Sequence, residues 1–464
     1  MSWIRARVVI VLIFVAGGCT SVNKPLGAPG VAMEAREAPE RNHTRSALAA
    51  EPPSPLTASR DESIKPASTR SAIDPNNDGY FVGIAISGGG SRSANFSAAC
   101  MFQLQRLGLL QRADYISSVS GGSITGAYYC SCLDSDWNPP NVQQKLTHHF
   151  ASDMVWTMSM PWNWLPLMLT NWDRSDILAD SLQKNLYSRD KRGLTFADLR
   201  PDRPHLLINA TDLQSGKPFV FCNESFDQLN SNLAQYPLSH AVAASCAAPV
   251  LLHQVTLQDF STTFKQYRHL VDGGVVDNLG VKTLVETYRA QLKSSSTSYP
   301  RGAVFILLDA RTQYDARISS RGDISVWESL QFSAGLSSTM LLNRASSATL
   351  DEIILDSAPD RADAATLRKE RDQLINEGYV RLETSDGRPV YVLHLALSRV
   401  NELKDLPFKS FTESVNNIST YLNIDQAEAY QLYQAADLLV EQRFRAPLKE
   451  IEDELNGVPG TTKP

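Results

Sequence analysis

The sequence lacks the patterns that mark several protein classes. It has no CxxC pair and no HExxH motif, the spacings typical of bound zinc, and no loop of oxygen ligands for calcium. It has no extended run of Lys or Arg, and its 44 basic and 50 acidic residues give a net charge of −6. We therefore expect no metal, no cofactor and no nucleic-acid partner, and leave small molecules, protein and lipid open.

Cysteines are too few and too scattered for a disulfide framework. Beyond Cys19 there are five in a chain of 464 residues, at positions 100, 130, 132, 222 and 246. An odd number without regular spacing does not describe paired bridges, so we predict buried free thiols.

No apolar run reaches the length of a transmembrane helix, but the first 21 residues have an export pattern. Arg5 and Arg7 precede an apolar stretch over residues 8–15, and small residues follow. The end of this region, "AGGC", resembles the lipobox of bacterial lipoproteins, with Ala16 in the slot that most often holds leucine. The resemblance implies a signal peptide over residues 1–18 and a lipidated Cys19. Thr20 after the cysteine implies the outer membrane. The alternatives are an unprocessed anchor or a plain secretory signal.

Residues 20–76 are rich in Pro, Ala, Ser and charged residues and show no helical or strand period. This composition predicts a flexible tether over residues 19–77.

From residue 80 onwards, short apolar runs alternate with amphipathic segments. The runs predicted as strands are "FVGIAIS" (81–87), "YISSVS" (115–120), "HLLINATDL" (205–213), "YRHLVDGG" (267–274), "AVFILLDA" (303–310) and "VYVLHLALS" (390–398). Residues 93–108 and 424–443 are predicted helices. This alternation predicts an α/β fold, a three-layer sandwich with a mostly parallel central sheet.

Three glycine-rich loops follow strand-like runs, where α/β folds carry their chemistry. The first, "ISGGGSRS", offers the N–H groups of Gly88, Gly89 and Gly90 at a helix start, with Arg92 close behind. In the second, "SVSGG", Ser120 occupies a strand-to-helix turn before Gly121 and Gly122.

The third loop, "LVDGG", places Asp272 before Gly273 and Gly274. Taken alone, each of the three loops has an ordinary interpretation. The first is a general anion site, the second a chance Ser/Gly turn and the third an Asx-turn.

Together, in this order, the three blocks resemble the patatin-like phospholipase family, which includes the cytosolic phospholipase A enzymes of animals. Its marks are G-G-G-x-R/K-G, G-x-S-x-G and D-G-G/A. Ser93 replaces the last glycine of the first block, and Ser118 replaces the first glycine of the second. The resemblance extends through "INATDLQSGK" (208–217) and "AVAASCAAPV" (241–250). It implies a catalytic domain over residues 78–290, completed by strands and helices in residues 291–464.

The resemblance implies a Ser–Asp dyad, with Ser120 as nucleophile, Asp272 as base and residues 88–90 with Arg92 as the oxyanion loop. The histidines agree with this assignment. After Asp272 only His394 remains, inside a predicted strand, and His253 has no glycine-rich loop around it. We expect both to be structural. Arg92 would either hold a substrate phosphate or brace the loop.

Four of the seven tryptophans lie in "MVWTMSMPWNWLPLMLTNW" (154–172), at positions 156, 162, 164 and 172. This stretch has no charged residue, and its prolines exclude a membrane span. It is either an interfacial patch beside the active site or a buried hairpin, and we expect part of it to lie in the core and part to line an acyl-chain channel.

The sequence thus predicts a membrane-tethered hydrolase of phospholipid or lysophospholipid acyl esters. Two alternatives stay open. One is a Ser–His–Asp esterase acting on small soluble esters, and the other is a tethered scaffold that has the fold without the chemistry.

Overall fold

The computed structural model describes residues 22–26, 78–170, 172–249, 251–294, 299–312, 364–384 and 387–457. The predicted signal peptide and Cys19 lie outside the described residues, as does most of the predicted tether.

Eleven strands lie within the described residues. They are β1 (Tyr80–Ile86), β2 (Tyr115–Val119), β3 (Ser188–Arg189), β4 (Arg192–Gly193), β5 (His205–Asp212), β6 (Lys217–Phe221), β7 (Val255–Asp259), β8 (Gln266–Asp272), β9 (Gly302–Asp309), β10 (Tyr379–Glu383) and β11 (Pro389–Ala396). β3 and β4 form a small separate hairpin.

Thirteen α-helices lie within the same residues. They are α1 (Gly90–Arg106), α2 (Gly121–Ser131), α3 (Pro139–Leu146), α4 (Phe150–Ser159), α5 (Pro161–Leu169), α6 (Arg174–Asn185), α7 (Asn223–Gln228), α8 (Leu238–Ser245), α9 (Val281–Ser294), α10 (Ala364–Glu377), α11 (Phe411–Asn416), α12 (Gln426–Leu439) and α13 (Arg445–Leu455). A π-helical turn, Val440–Phe444, joins the last two.

One nine-stranded sheet organises the chain, in the order β10-β11-β9-β1-β2-β5-β8-β7, with β6 also paired to β5. The five strands from β11 to β5 run parallel to their neighbours. The outer pairs are antiparallel. The predicted α/β sandwich with a mostly parallel sheet is confirmed.

The central strand β1 shows why the apolar runs carry no alternation. All seven of its residues are buried. Ile84 and Ile86 face a core cluster that contains α1, α2 and α12, whereas Phe81 and Ala85 face a second cluster against α9. A strand covered by helices on both faces has no solvent side, so every position is apolar or small.

The last third of the chain contributes to this sheet. β9 and β11 extend it beside β1, and α12 packs against α1. Residues 302–308 are in full parallel register with β1, from Tyr80 opposite Gly302 to Ile86 opposite Leu308.

A short N-terminal segment, residues 22–26, differs from the predicted tether because it is docked on the sheet edge. We call it the clip. Asn23 Oδ1 accepts from the Gln258 N–H at 2.8 Å, and Asn23 Nδ2 donates to the Gln258 carbonyl at 2.8 Å. Leu26 N–H donates to the Asn230 carbonyl. An edge strand such as β7 leaves backbone groups unpaired, and one amide side chain satisfies a donor and an acceptor together.

Candidate active site

Ser120 lies on a sharp turn between β2 and α2. Its φ of 51° and ψ of −125° are in a region that non-glycine residues rarely adopt. The strand ends at Val119 and the helix begins at Gly121, so the serine stands at the carboxyl end of the parallel strands. Ser120 is partly exposed. This is the geometry of a nucleophile elbow.

The glycine after Ser120 permits a close approach between two loops. A Cβ on Gly121 would overlap the backbone of Gly90, so the start of α2 lies directly against the start of α1. At Gly122 a Cβ would come within 2.6 Å of the Ser87 carbonyl oxygen. The elbow and the first glycine-rich loop therefore touch through their backbones.

Ser118 fits where the family pattern has glycine. Its side chain is fully buried, and its hydroxyl accepts from Ser123 Oγ at 3.1 Å. A Cβ on Gly126 would lie 3.3 Å from the Ser118 Cβ. The facing glycine on α2 leaves room for a small side chain at position 118 and for little more.

Asp272 ends β8 and comes to Ser120 from the far side of β5. Its carboxylate accepts the Gly274 N–H at 2.8 Å, as an Asx-turn would, and the Ser120 hydroxyl lies close enough to the carboxylate to lower its pKa. The loop residues Gly273 and Gly274 form a short 3-10 turn. The sequence led us to expect a loop after a parallel strand, but β8 runs antiparallel to β5. Asp272 pairs with Ala210, near the carboxyl end of β5.

Burial raises the pKa of Asp272 to about 6, although the Gly274 N–H and the nearby Ser120 hydroxyl act in the opposite direction. Desolvation penalises the charged carboxylate, so this aspartate is a stronger base than an exposed one. The thiol of Cys246 is also buried beside the same hydroxyl, and burial raises its pKa. It remains a thiol near neutral pH and is no competing nucleophile.

The glycine loop divides into two parts. Gly88 N–H donates to the Asn278 carbonyl at 2.9 Å, so that group is already engaged and does not serve as the free donor we expected. No hydrogen bond joins the N–H of Gly89 or Gly90 to any other residue that the structure describes. Gly89 directly precedes α1 and Gly90 begins it, opposite the elbow, so their N–H groups are the available donors for an oxyanion.

Arg92 and Ser93 hold the loop from behind. Arg92 Nη1 donates to the Ile418 carbonyl at 2.9 Å, and the side chain is 9% exposed. This is the bracing arrangement. Ser93 Oγ donates to the Ser87 carbonyl at the end of β1, a hydrogen bond that the family's glycine could not make.

Sequence reasoning missed the residue that supports the elbow. Ser245, at the end of α8, is completely buried, and its Oγ accepts the Ser120 N–H at 2.8 Å. The same hydroxyl donates to the Asn209 carbonyl at 2.6 Å and contacts Ser123 Oγ. The segment "AVAASCAAPV" carries part of the family resemblance, but no feature of it singles out this serine.

The two histidines in question have partners elsewhere. His394 lies in β11 and hydrogen-bonds Asp309 at 2.9 Å, and burial lowers the pKa of His394. From β11 to β2 there are three strand spacings, roughly 14 Å. His253 accepts from Arg174 Nε at 3.5 Å and its carbonyl accepts from Ser175. Neither contact involves Ser120.

The tryptophan-rich stretch forms the two short helices α4 and α5, which we call the hairpin. Trp156 and Trp162 are 69% and 70% exposed. Trp164 is half-buried, with its Nε1 donating to the Met158 carbonyl, and Trp172 packs on the core. The inner side chains therefore pack and the outer ones are exposed, while the acyl-chain channel stays a prediction.

Within the described ranges, no helix is both long and apolar enough to cross a membrane. The same part of the chain contains no group of three or more His, Cys, Asp or Glu placed to hold a metal ion. The five cysteines that it includes are all free and buried.

Comparison with solved structures finds distant likenesses. Human GIVD cytosolic phospholipase A2 is 12% identical with a TM-score of 0.46, over 82% of this chain and 61% of that one. VipD from Legionella pneumophila is 14% identical (TM-score 0.25, 82% and 72%). ExoU, solved with SpcU from Pseudomonas aeruginosa, is 15% identical (TM-score 0.24, 87% of each chain). This chain thus spans about 61% of the length of the human enzyme.

No curated protein sequence matches the chain significantly. A family match does exist, and it covers the part of the chain that carries the three loops. Residues 84–285 match the family described as Patatin-like phospholipase, a range that includes Ser120, Asp272 and residues 88–92. Residues 84–285 therefore belong to the patatin-like phospholipase family.

Proposed function

We propose that this protein is a serine hydrolase that cleaves acyl ester bonds of lipids, of the phospholipase A or lysophospholipase type. One observation carries the proposal. The Ser120 hydroxyl, on a strained elbow, lies beside the buried carboxylate of Asp272 and lowers the pKa of that carboxylate. The family match over residues 84–285 supplies the substrate class.

In the proposed reaction, Asp272 takes the proton of the Ser120 hydroxyl while Oγ attacks the ester carbonyl carbon. The carbonyl π-bond opens to an oxyanion. When that oxyanion collapses, the ester C–O bond breaks, and the leaving alkoxide takes the proton back from Asp272. Water then attacks the acyl-enzyme carbonyl while Asp272 accepts its proton. When this second oxyanion collapses, the bond between the acyl carbon and Oγ breaks, Oγ takes the proton back from Asp272, and the fatty acid and free serine are released.

The environment of Asp272 suits this role. A base is most effective when its pKa lies near the working pH, and burial has brought the pKa of Asp272 to about 6. It is then mostly ionised at neutral pH and more basic than an ordinary aspartate. No histidine is required in this scheme.

The oxyanion is proposed to meet the N–H groups of Gly89 and Gly90. Loss of one such donor costs on the order of 3 kcal/mol of transition-state stabilisation. Gly90 lies against Gly121, so both donors are held close to the carbon that Ser120 attacks. Arg92 is proposed to hold the loop in place through Ile418.

The lipid substrate implies a membrane partner. We propose that Cys19 is acylated after removal of residues 1–18 and that the protein is anchored to the cell envelope at the outer membrane. The tryptophans at 156, 162, 164 and 172 are the second proposed membrane element. Both proposals come from the sequence pattern and from the demands of a lipid substrate.

The test compares fatty-acid release from mixed phospholipid vesicles by the full chain, Ser120→Ala, Asp272→Asn and His394→Ala. The dyad predicts that Ser120→Ala and Asp272→Asn lose at least about a thousandfold in kcat while His394→Ala keeps most of it. His253→Ala is the matched second control.

Two results would oppose the proposal. Loss of activity in either histidine variant, with cleavage confined to short soluble esters, would favour the esterase. A folded wild-type chain that releases no fatty acid and no soluble acid would favour the scaffold.

A further inference from the structure

The hairpin exposes several large apolar side chains within the described residues. We call the apolar face the five side chains of α4 and α5 that are more than 60% exposed: Val155, Trp156, Trp162, Leu165 and Leu169. No Asp, Glu, Lys or Arg occurs between Met154 and Trp172. Exposed apolar patches of this kind mark interaction sites in soluble domains.

The opposite side of the hairpin is firmly attached, so the exposure is not a product of a loose segment. Phe150 and Met154 are buried in the main core, and Met158 packs against it. Asn163 Nδ2 donates to the Thr157 carbonyl and Trp164 Nε1 to the Met158 carbonyl, which locks the turn between the helices. The inner side of the hairpin is therefore packed against the core, and its outer side is exposed.

A second segment connects the hairpin to the oxyanion loop. We call residues 418–424 the strap. Ala151 N–H, at the start of α4, donates to the Leu422 carbonyl at 3.2 Å. Ser91 N–H donates to the Tyr421 carbonyl at 3.3 Å, and a Cβ on Gly90 would overlap the Thr420 carbonyl. The strap therefore touches both α4 and the loop beside Ser120, which places the hairpin at the catalytic end of the sheet.

We infer that the apolar face is the surface by which the catalytic end of the domain docks on an electrically neutral lipid interface, such as phosphatidylcholine. The inference rests on the proposed function, since a lipid hydrolase must bring its substrate to Ser120. Trp156 and Trp162 have the side chains that settle at the headgroup level, and Val155, Leu165 and Leu169 supply apolar area.

The lack of charged residues between Met154 and Trp172 distinguishes between the molecules that could bind the apolar face. Anionic lipid attracts basic segments, and this face has none, so binding should not depend on anionic headgroups. Residues 27–77 are rich in Pro, Ser and charged side chains, a composition that offers little apolar area to cover the face. A second copy of the chain is the main alternative to lipid as the partner of the apolar face.

The first experiment measures vesicle binding without hydrolysis. The full chain carries Ser120→Ala, which prevents turnover, and Cys19→Ser, which removes the acylation site. Partition onto phosphatidylcholine vesicles is compared for this parent, for added Trp156→Ala with Trp162→Ala, and for added Phe264→Ala. Phe264 is 81% exposed on the β7–β8 turn and is the matched control.

We expect the double tryptophan change to lower the partition coefficient about a hundredfold, about tenfold for each side chain, and Phe264→Ala to leave it unchanged. Adding phosphatidylglycerol should not strengthen binding. Equal binding by parent and double variant, or binding that requires phosphatidylglycerol, would overturn the inference. So would a dimer that the double variant dissociates, since the face would then be a contact between copies.

A second measurement does not depend on the variants losing affinity. The described cysteines are buried, so Leu165→Cys adds an accessible thiol that can carry an environment-sensitive dye. On vesicles its emission should shift to the blue, and the same dye at Phe264→Cys should not shift. No shift at position 165 contradicts the inference. Blue-shifted binding together with an inactive wild type would reject the proposed function and leave the docking surface standing.

Discussion

Asp272 couples catalysis to stability because its carboxylate is charged in a buried place. Folding raises its pKa from 3.8 to about 6, so the native state holds the proton at pH values where the unfolded chain has released it. Native stability from this group is therefore complete below about pH 4 and falls as the pH rises to 6. Above pH 6 the cost is roughly 3 kcal/mol.

Asp272→Asn should accordingly be an inactive but more stable protein. At pH 8 we expect its free energy of unfolding to exceed that of wild type by about 1–3 kcal/mol, and at pH 4 the difference should vanish. Denaturant unfolding at the two pH values measures this. A variant that is less stable than wild type at pH 8 would show that the carboxylate holds the site together by charge.

Ser245 is a positioning residue for the nucleophile. Ser245→Ala removes the acceptor of the Ser120 N–H and leaves a buried donor unsatisfied, at a cost of about 1–3 kcal/mol. We expect kcat to fall about tenfold or more with KM nearly unchanged, because the strained elbow loses its support. Ser239→Ala, a buried serine on the same helix, is the control and should keep its kcat. A parallel loss in both variants would reduce the role of Ser245 to packing.

Among the elements, the clip is one whose docking the composition does not predict. Asn23→Ala deletes both hydrogen bonds to Gln258 and should destabilise the docked segment by about 1–2 kcal/mol. The expected readout is faster proteolysis at residues 20–30 with unchanged thermal unfolding of the domain. Asn232→Ala, a half-buried asparagine outside the clip, is the control. Equal proteolysis of wild type and Asn23→Ala would contradict the docked arrangement.

The sequence predicts some of the strands and not others. The six apolar runs predicted as strands correspond to β1, β2, β5, β8, β9 and β11. Two-sided burial makes such strands continuous in the sequence. β6, β7 and β10 were not predicted, because they are five-residue strands at antiparallel positions with polar residues among them.

The same limit applies to the active site. Ser120 and Asp272 stand out because each occupies a glycine-rich loop after a strand. Ser245 and the clip depend on contacts between distant parts of the chain, 125 residues apart for Ser120 and Ser245 and 235 for Asn23 and Gln258. No local pattern encodes these contacts. The engaged N–H of Gly88 is a third case, since its acceptor is the carbonyl of Asn278.

For the chain as a whole, the clip changes the geometry of the proposed anchor. Cys19 precedes Asn23 by four residues, which span at most about 14 Å when extended. If Cys19 carries the lipid, the docked clip holds the domain close to the bilayer. Residues 27–77 then join the clip to β1 but do not determine the distance between domain and bilayer.

Deleting residues 35–65 should then leave the distance between domain and bilayer unchanged. We would measure it by energy transfer from a dye at Phe264→Cys to a lipid dye, in the acylated protein. Asn23→Ala in the same protein should lengthen the distance, because the undocked segment would act as a spacer. If the deletion shortens the distance between domain and bilayer, the tether determines that distance and the clip does not.

The central claim is that Ser120 is activated by Asp272, and the most direct measurement is covalent labelling by a fluorophosphonate. We predict a single adduct on the peptide containing Ser120, located by mass spectrometry. The rate of adduct formation should rise with pH through an apparent pKa near 6. The rate should fall sharply in Asp272→Asn and stay unchanged in His394→Ala. An adduct on another residue, or a labelling rate that survives Asp272→Asn and fails in a histidine variant, would contradict the account.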